Sequence, residues 1–580
     1  MINQQSAASW VAMRESNPII REGLHAEIEG FSDEDRDFIT APNTILEPTP
    51  LDEALKAGAK GALQDKQDSV ASVNAKVMKT IQELGEIAVD QRLEARLLTK
   101  TGNRFEAIPL RSKRCRSLFQ DKANEISGRP IGKETLNGLI EALEGQAIKS
   151  GKKIRVATRV THKKEIGSSV IHFINLATES GEIIRVGADG WSVINNVDIP
   201  FEPDMGALPS PIRPADLSEA RAILVKYLMD AGVDESKCIL VIAVLVEYLR
   251  DNTAYPILEI LGPAGSQKTS LVIKIVAIID PSLSGKLVSI KIDEEHIRAA
   301  VRQIHVIPVD NSGKITPGEQ NFLCVVSLGT ESTTRKLYET TEIVRQEIHC
   351  PIIFTAILPV ITAPDLIARS IRINLKSKGV YKSAIYVAEQ NLGDAGHAFG
   401  ALLTLFSAGL EHLDISKTSK HRMADFALMG DAICTALNYE PDYFSRLLDD
   451  AYKSTAQDFC EGDIFIQRFI SVCDDVMKSA IEAERFPGWR VWKNNCSAIK
   501  RSDGRKQIGI TAQALLTELT SAKQVHDLPY TQRIEWFPSN PRALTSKLTL
   551  MAPLLKNLGY EIELKPLGSD KRNAWMVTWK

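Results

Sequence analysis

Residues 255–280 read YPILEILGPAGSQKTSLVIKIVAIID, and this stretch decides the fold. An apolar run of strand length, Tyr255–Leu261, leads into a loop of small residues, Gly262–Lys268, here called the glycine loop. An apolar run of helical length follows directly. A strand, a glycine-rich turn and a helix in this order are the context in which proteins bind phosphate groups at a helix N-terminus.

The segment Gly262–Thr269 fits the pattern G-x-x-x-x-G-K-S/T at every position but one, because Gln267 stands where the second glycine is expected. Backbone N–H groups of such a loop surround the β-phosphate, the lysine reaches the β- and γ-phosphates, and the hydroxyl binds Mg²⁺. The sequence therefore predicts ATP and Mg²⁺ as ligands, although a glycine turn joining a strand to a helix is the alternative. Predicted nucleotide-binding residues are Gly262, Pro263, Ala264, Gly265, Ser266, Gln267, Lys268, Thr269 and Ser270. Gln267 adds bulk, which threatens turnover more than binding.

Downstream of the glycine loop, strand and helix patterns alternate through HVIPVD and PIIFTAI, which predicts a parallel α/β sheet with crossover helices. Asp310 ends one of these strands and is predicted to share a metal with Thr269. Asn311 stands where related ATPases carry a glutamate base; an amide orients a water but cannot accept its proton. Glu331 or a substrate-assisted route are alternatives for the base. An Asx turn that merely ends the strand is the plain alternative for Asp310.

Three further residues are candidates for contacts with the γ-phosphate. Thr355 closes the strand Pro351–Ala356 and is predicted to sense that phosphate, although polar residues often close strands. Arg369 and Arg372 are candidates for a finger that reaches a neighbouring subunit's nucleotide, since arginine stabilises charge on a transferring phosphoryl group. Ordinary surface charge is the alternative for both arginines, and Arg369 is preferred.

The composition bounds the remaining classes of function. The chain has 580 residues, 44% apolar and 25% charged, and a net charge of −3, so we expect three or four domains and only local nucleic-acid patches. Eight scattered cysteines form no C-x-x-C pair, which indicates reduced thiols in the cytoplasm. The start of the chain does not resemble a signal peptide, and the apolar run Cys238–Val246 is too short to cross a bilayer. We expect a cytoplasmic protein without a membrane segment.

Changes of pattern along the chain predict five regions. These are a mostly helical adaptor at 1–75, an α+β region with a small β domain at 76–205, a P-loop ATPase core at 215–390, a helical region at 391–500 and a winged-helix-like domain at 505–580. Pro200–Pro214 contains five prolines and is predicted to be a linker.

The segments GPAGSQKTS, VDNSGKI, TTRKLYETTE and APDLIARSIRINL resemble, in this order, ATP-binding proteins of prophages and integrative elements. Those proteins are related to superfamily 3 and AAA+ replicative helicases. The segments GADGWSV and WFPSNPRALTSKLTLMAPLLKNLGYEIEL are also similar to that family, so the resemblance covers roughly residues 150–375 and 530–580.

The resemblance implies an AAA+-like core, a homo-oligomeric ring such as a hexamer, and ATP-driven work on single-stranded or forked DNA during replication of the element. It assigns Lys268 and Thr269 to nucleotide and metal and Asp310 to the metal. It also places Arg335 and Lys336 in a segment that faces DNA in the channel of the ring.

Basic residues near the end of the chain indicate nucleic acid independently. A helix starting near Pro541 carries Arg542 and Lys547, and a strand pair around a turn carries Lys571 and Arg572. A helix followed by a basic hairpin is typical of a winged helix on DNA, with protein contacts as the alternative. The basic stretch Arg111–Arg116 is a weaker candidate. Phe173 and Trp191 are the stacking surfaces offered by the predicted β domain.

These observations predict an ATP-dependent DNA helicase or translocase. The alternative is a nucleotide-gated DNA-binding or loader protein with slow hydrolysis, and a signalling or defence ATPase is a third reading. The N-terminal third offers no convincing pair of carboxylates for two metals, so primase chemistry is not expected.

Overall fold

The computed structural model describes residues 73–101, 104–164, 170–195, 198–203, 205–283, 287, 292–335, 343–377, 384–483, 496–500, 504–521, 537–567 and 572–579. The chain divides into two compact units, Met1–Lys76 and Val77–Lys580. All the elements named below belong to the second unit. The predicted adaptor at 1–75 lies almost entirely outside the described residues.

The first elements form a small antiparallel sheet backed by two helices. Its strands are β1 (Gly85–Val89), β2 (Ala95–Thr101) and β3 (Arg104–Pro109), in that order. Helices α1 (Lys113–Ser127) and α2 (Lys133–Ser150) follow, and each ends at a glycine with φ of 66°, a left-handed conformation that glycine adopts without steric cost. Apolar residues of α2 are buried toward the sheet: Leu136, Leu139, Ile140, Leu143 and Ala147.

A second antiparallel sheet follows as a meander of β4 (Val160–Lys164), β5 (Val170–Asn175), β6 (Glu182–Gly187) and β7 (Gly190–Asn195). Trp191 is buried in the core, its indole N–H donates to Thr404 Oγ1 at 2.9 Å, and the Arg213 guanidinium lies 3.9 Å from its ring centre. Trp191 is therefore a packing residue and offers no exposed face on which a base could stack.

The central sheet is wholly parallel, as predicted. Its strand order is β13 (Ser370–Asn374), β8 (Ile257–Leu261), β12 (Ile352–Ala356), β9 (Ile307–Val309). The crossover helices are α5 (Lys268–Ile279), α6 (Glu294–Ala300) and α7 (Pro317–Leu328), and a short helix α8 (Pro364–Ile367) precedes β13. Between α7 and β12 lies an antiparallel hairpin of β10 (Thr330–Arg335) and β11 (Ile343–Ile348). Because all four central strands are parallel, the loops that follow them lie at one edge of the sheet.

Helices cover this sheet. Before it come α3 (Leu217–Asp230) and α4 (Glu235–Glu247); after it come α9 (Ala384–His412), α10 (Ala424–Ala436), α11 (Tyr443–Gly462) and α12 (Ile464–Ala483). From Cys238 to Glu247 every residue of α4 is buried, which explains the unbroken apolar run in its sequence.

The proline-rich segment 205–216 has no helix or strand, but it is packed rather than free. Leu208 N–H donates to Leu176 O at 2.9 Å, and Ile212 N–H donates to Gly396 O on α9 at 2.9 Å. A Cβ atom at Gly400 would lie 1.8 Å from Ile212 O, so only glycine lets the segment cross the helix this closely. The predicted linker is therefore a segment held in place between the β4–β7 sheet and α9.

The C-terminal region is a four-stranded antiparallel sheet with two helices. The strand order is β14 (Cys496–Lys500), β15 (Lys506–Thr511), β17 (Arg572–Trp579), β16 (Glu561–Leu567), and the helices are α13 (Ala512–Thr520) and α14 (Pro541–Asn557). The helix, helix, strand, strand order predicted for the tail is present. The sheet also takes in β14, which precedes the predicted start at residue 505.

Within the described ranges, no helix is both long enough and apolar enough to cross a membrane.

Candidate functional site

The carboxyl edge of the central sheet brings three predicted site residues together. The parallel register pairs Ala356 with Leu261 and Phe354 with Val309, so β8, β9 and β12 end side by side. Gly262, Asp310 and Thr355 therefore lie at one edge, although they are up to 93 positions apart in the sequence. Chain topology, rather than sequence proximity, assembles the candidate site.

The glycine loop is tight, and its conformation explains its residue types. A Cβ atom at Gly262 would lie 2.5 Å from Ser266 Oγ and 2.6 Å from Leu375 O, so this position needs glycine. Gly265 has φ of 76° and Gln267 has φ of 67°, both in the left-handed region. Glycine adopts that region freely, whereas another L-residue pays roughly 1–2 kcal/mol. Gln267 thus occupies a glycine conformation, and its Oε1 is buried without a hydrogen-bond partner.

Lys268 begins helix α5 with its side chain folded onto the loop. Its Nζ donates to Gly262 O at 2.8 Å and to Pro263 O at 3.0 Å. Only 7% of the residue is exposed. The ammonium is therefore held inside the curve of the loop, where it would meet an incoming anion.

Thr269, Asp310 and Thr355 form one hydrogen-bonded cluster. The Thr269 hydroxyl donates to Asp310 Oδ1 at 3.1 Å, and the Thr355 hydroxyl donates to the same oxygen at 2.5 Å. Thr355 is fully buried, and its Oγ1 also accepts the Asn311 N–H at 2.9 Å. Its hydroxyl is thus occupied with Asp310 and Asn311, so Thr355 orients the carboxylate and is not placed to touch a γ-phosphate as predicted.

A hydroxyl and a carboxylate are the hard oxygen donors that Mg²⁺ takes from proteins, with waters and substrate phosphates completing its shell. The pair Thr269 and Asp310 fits that ion. No group of three or more His, Cys, Asp or Glu that could hold a metal occurs within the described ranges.

Asn311 follows Asp310 with φ of 53°, a left-handed conformation in which asparagine is enriched. Its side chain is exposed beside the cluster. Glu331, the alternative base, lies on β10, and its side chain falls outside the described part of the structure.

The two finger candidates are both buried within their own chain. Arg372 pairs with Glu259 on the neighbouring strand, at 2.7 Å from Nε to Oε2, and the side chains are 2% and 0% exposed. Arg372 is therefore paired with Glu259 inside its own chain, which disfavours the finger role, and that role stays a prediction. Arg369 is 7% exposed and its Nε lies 3.5 Å from Asp365 Oδ2, so it too is a poor candidate.

The buried ion pair of Glu259 and Arg372 was not predicted from the sequence. Glu259 Oε1 accepts the N–H groups of Val360 and Ile361 at 2.8 and 3.0 Å, and Gln320 Oε1 accepts those of Thr362 and Ala363 at 2.9 and 2.6 Å. These contacts fix the loop that follows β12 at the same edge as Asp310. The available signal was one glutamate inside an apolar strand, since a buried carboxylate requires partners.

The structure separates the predicted DNA-binding residues. Arg542 is exposed on the first turn of α14, whereas Lys547 is half-buried with its Nζ 4.2 Å from the centre of the Phe465 ring. Burial lowers the pKa of Lys547. Lys547 therefore joins α14 to α12, which disfavours its predicted role as a DNA contact. Arg335 and Arg572 lie at strand ends with their side chains outside the described part, and Lys336 and Lys571 lie outside the described residues.

Contacts within its own domain engage three of the four cations of the basic stretch Arg111–Arg116, and two of the three partners are acids. Arg111 Nε lies 2.6 Å from Glu144 Oε1, Arg114 pairs with Glu106, and Arg116 donates to Asn137 Oδ1 at 2.9 Å. These contacts join α1 to α2 and to β3. The stretch is therefore mainly structural.

A family model described as the Actinomycete integrative conjugative element replication protein matches residues 224–459, which include the central sheet and its carboxyl edge. A search of curated proteins gave no significant match.

Solved structures of low similarity were also found. The apo C-terminal region of NrS-1 in its A form is 11% identical, with a TM-score of 0.35 over 87% of this chain and 98% of that one. A second apo structure of that region, residues 305–718, is 12% identical with a TM-score of 0.34 over 87% and 98% of the two chains. JCV helicase with a bound acetamide compound is 16% identical, with a TM-score of 0.22 over 40% of this chain and 64% of that one.

Proposed function

We propose that this chain is a P-loop ATPase that moves along DNA during replication of an integrative genetic element. The observation that carries the ATPase is the contact between Thr269 and Asp310, 3.1 Å, directly beside the buried amine of Lys268. A lysine at the start of a helix, a hydroxyl next to it and an acid from a neighbouring strand are the parts that P-loop enzymes use.

Each part has a task that follows from its position. The N–H groups of the glycine loop and the N-terminus of α5 bind the β-phosphate, because the positive end of the helix dipole lies there. Lys268 leaves the carbonyl groups of Gly262 and Pro263 to neutralise the β- and γ-phosphates. Thr269 and Asp310 would hold Mg²⁺, which would withdraw charge from the phosphate oxygens. Thr355 keeps the Asp310 carboxylate in its orientation.

DNA enters the proposal through two lines of support. The matched family model describes a replication protein of a mobile element. The β10–β11 hairpin lies between α7 and β12, Arg335 is the last residue of β10, and Lys336 follows it in the sequence. In a ring of subunits, each subunit would contribute one such hairpin to a central channel around a DNA strand. Arg542 on α14 is the exposed cation that a winged-helix domain would set against duplex phosphate.

A nucleotide-gated DNA-binding protein is the second candidate. Gln267 in a glycine conformation and Asn311 in place of an acidic base both favour it, since each slows hydrolysis more than binding. In this reading ATP binding changes the affinity for DNA, and turnover only resets the protein.

The test compares Lys268→Ala with Lys420→Ala, a lysine on the surface whose Nζ contacts Asp449. We expect Lys268→Ala to abolish DNA-stimulated phosphate release and to weaken ATP binding, whereas Lys420→Ala behaves as wild type. Strand displacement by the wild type supports the motor. Tight ATP binding with fewer than one turnover per minute supports the gate, and hydrolysis that persists in Lys268→Ala contradicts both.

A further inference from the structure

A basic stretch unlike any other part of the chain lies between α2 and the end of β4. The sixteen residues Lys149–Lys164 contain seven Lys or Arg and no Asp or Glu, in a chain whose net charge is −3. Arg159 is buried in an ion pair with Asp280 at 2.9 Å. The other six cations are exposed, so the stretch forms a positive surface: Lys149, Lys152, Lys153, Arg155, Lys163 and Lys164.

This stretch borders a groove of about 440 Å³ on the β1–β3 sheet, here called the β1–β3 groove. Its apolar wall is made by Leu98, Phe105, Ile154 and Pro200. Lys152 and Arg155 lie at its rim. The volume falls within the roughly 300–1,000 Å³ that small organic ligands occupy in proteins.

The β1–β3 groove exists because the small sheet is covered by helices on one face only. The antiparallel register places Phe105 opposite Lys100 and Leu98 opposite Ala107, so aromatic, aliphatic and cationic side chains share the face turned away from the helices, where Leu98 and Ala107 are buried against Val156. Phe105 is only half-buried there. A half-exposed aromatic ring beside exposed lysines is the combination with which proteins stack an unpaired base and hold its phosphates.

Two acids, Glu86 and Asp198, line the groove together with Lys152 and Arg155, and Arg155 also lies 3.6 Å from Glu347, so the excess of cations comes from the flanking Lys100 and Lys153. Glu86 pairs with Lys152, and Asp198 Oδ2 lies 3.0 Å from Lys163 Nζ, with all four side chains well exposed. Exposed ion pairs are worth at most about 1 kcal/mol, so a phosphate can replace either acid. Lys100 and Lys153 have no ion-pair partner among the described residues.

We infer that the β1–β3 groove binds single-stranded nucleic acid, with one base stacked on Phe105 and neighbouring phosphates held by Lys152 and Lys153. The aromatic wall favours single-stranded over duplex nucleic acid, because the bases of a duplex already stack on each other and cannot stack on the wall. The site lies outside the matched region 224–459 and uses none of the residues assigned to ATP.

The experiment measures binding of fluorescent oligo(dT) by anisotropy, without nucleotide, over a range of salt concentrations. Because ATP is left out, the result does not depend on the proposed ATPase. Phe105→Ala should weaken binding about 5- to 100-fold, the value of one base stack, with an unchanged salt slope. Phe105→Trp should retain the affinity of the wild type.

The double variant Lys152→Ala/Lys153→Ala should lower the salt slope of log K by about 1.4, since each phosphate contact on a single strand contributes about 0.7. Lys226→Ala/Lys420→Ala removes the same charge from other surfaces and should leave affinity and slope unchanged. The inference is overturned if Phe105→Ala binds as the wild type does, or if the variants weaken a blunt duplex as strongly as oligo(dT). Circular dichroism of each variant checks that the fold is intact.

Discussion

The predicted phosphate-binding lysine at the central parallel sheet and the predicted DNA-binding lysine of the C-terminal domain lie in different environments. At the carboxyl edge of the sheet, Lys268 is only 7% exposed. Its side chain points into the glycine loop because its Nζ donates hydrogen bonds to the carbonyl groups of that loop. In the C-terminal domain, Lys547 lies on a helix expected to face DNA and is packed over Phe465 instead. The difference shows that a loop pattern specifies where its lysine lies, whereas charge on an amphipathic helix does not say which face is covered.

The largest expected effect is the loss of stability caused by Arg372→Leu in the central sheet. The substitution leaves the fully buried Glu259 carboxylate without its guanidinium, which costs roughly 3–5 kcal/mol of unfolding free energy. Urea unfolding measures it. Combining the change with Glu259→Gln should recover part of the loss, because no buried charge is then left unpaired. A single Arg372→Leu loss below 1 kcal/mol would show that the pair is not essential to the loop after β12.

Acidification should destabilise the part of the chain that contains the central sheet more than the C-terminal domain. Burial lowers the pKa of His349 to about 4 and that of His172 to about 3, so both imidazoles are neutral in the folded protein at pH 7. The unfolded chain takes up these protons near pH 6.5, so folding stability is full above that pH and falls as the pH drops toward 4. The described part of the C-terminal domain contains no histidine.

Thermal unfolding between pH 7.5 and 5 measures this effect. His349→Gln should flatten the pH dependence, whereas His412→Gln, at an exposed position on α9, should leave it as in the wild type. Equal slopes in both variants would show that His349 does not titrate between the two states.

Two substitutions on α14 should have smaller effects, and they test the positions of Lys547 and Arg542 in the C-terminal domain. Lys547→Ala should cost about 1 kcal/mol, the value of a half-buried cation over an aromatic ring, and leave the salt slope of duplex binding unchanged. Arg542→Ala should do the reverse: the slope falls by about 0.9 for one lost phosphate contact, and stability stays within about 0.5 kcal/mol. If Lys547→Ala alone changes the slope, its packed position does not describe the DNA-bound state.

The smallest expected effect tests the glycine loop. Gln267→Gly should raise the unfolding free energy by roughly 1 kcal/mol or less, because glycine adopts φ of 67° without strain. The same change should speed ATP hydrolysis. Gln267→Ala retains a Cβ atom at that φ but removes the bulk of the side chain, so it should speed hydrolysis without raising the unfolding free energy, which separates the two effects.

The sequence predicted the parallel sheet because apolar strands alternate with helical segments there. The relation of Lys268, Thr269 and Asp310 follows from strand order, so it too could be predicted. Arg372 and Thr355 could not be placed, since whether a polar residue at a strand end faces solvent or a neighbouring side chain depends on the register of two strands. Which face of the β1–β3 sheet is left without helices depends on which side α1 and α2 take, and no local pattern records that choice.

The crossing of the proline-rich segment over α9 has a practical consequence. Because Gly400 admits Ile212 O and Gly396 accepts its N–H, the length of chain between Leu208 and Ile212 is matched to a fixed gap. Inserting flexible residues there should loosen the segment from α9, and proteases should cut this stretch slowly although it has no helix or strand. A truncated protein that begins at residue 215 would expose the glycine notch of α9 to water and invite aggregation. The unit to express, exchange or crystallise therefore begins well before the segment that looks like a boundary.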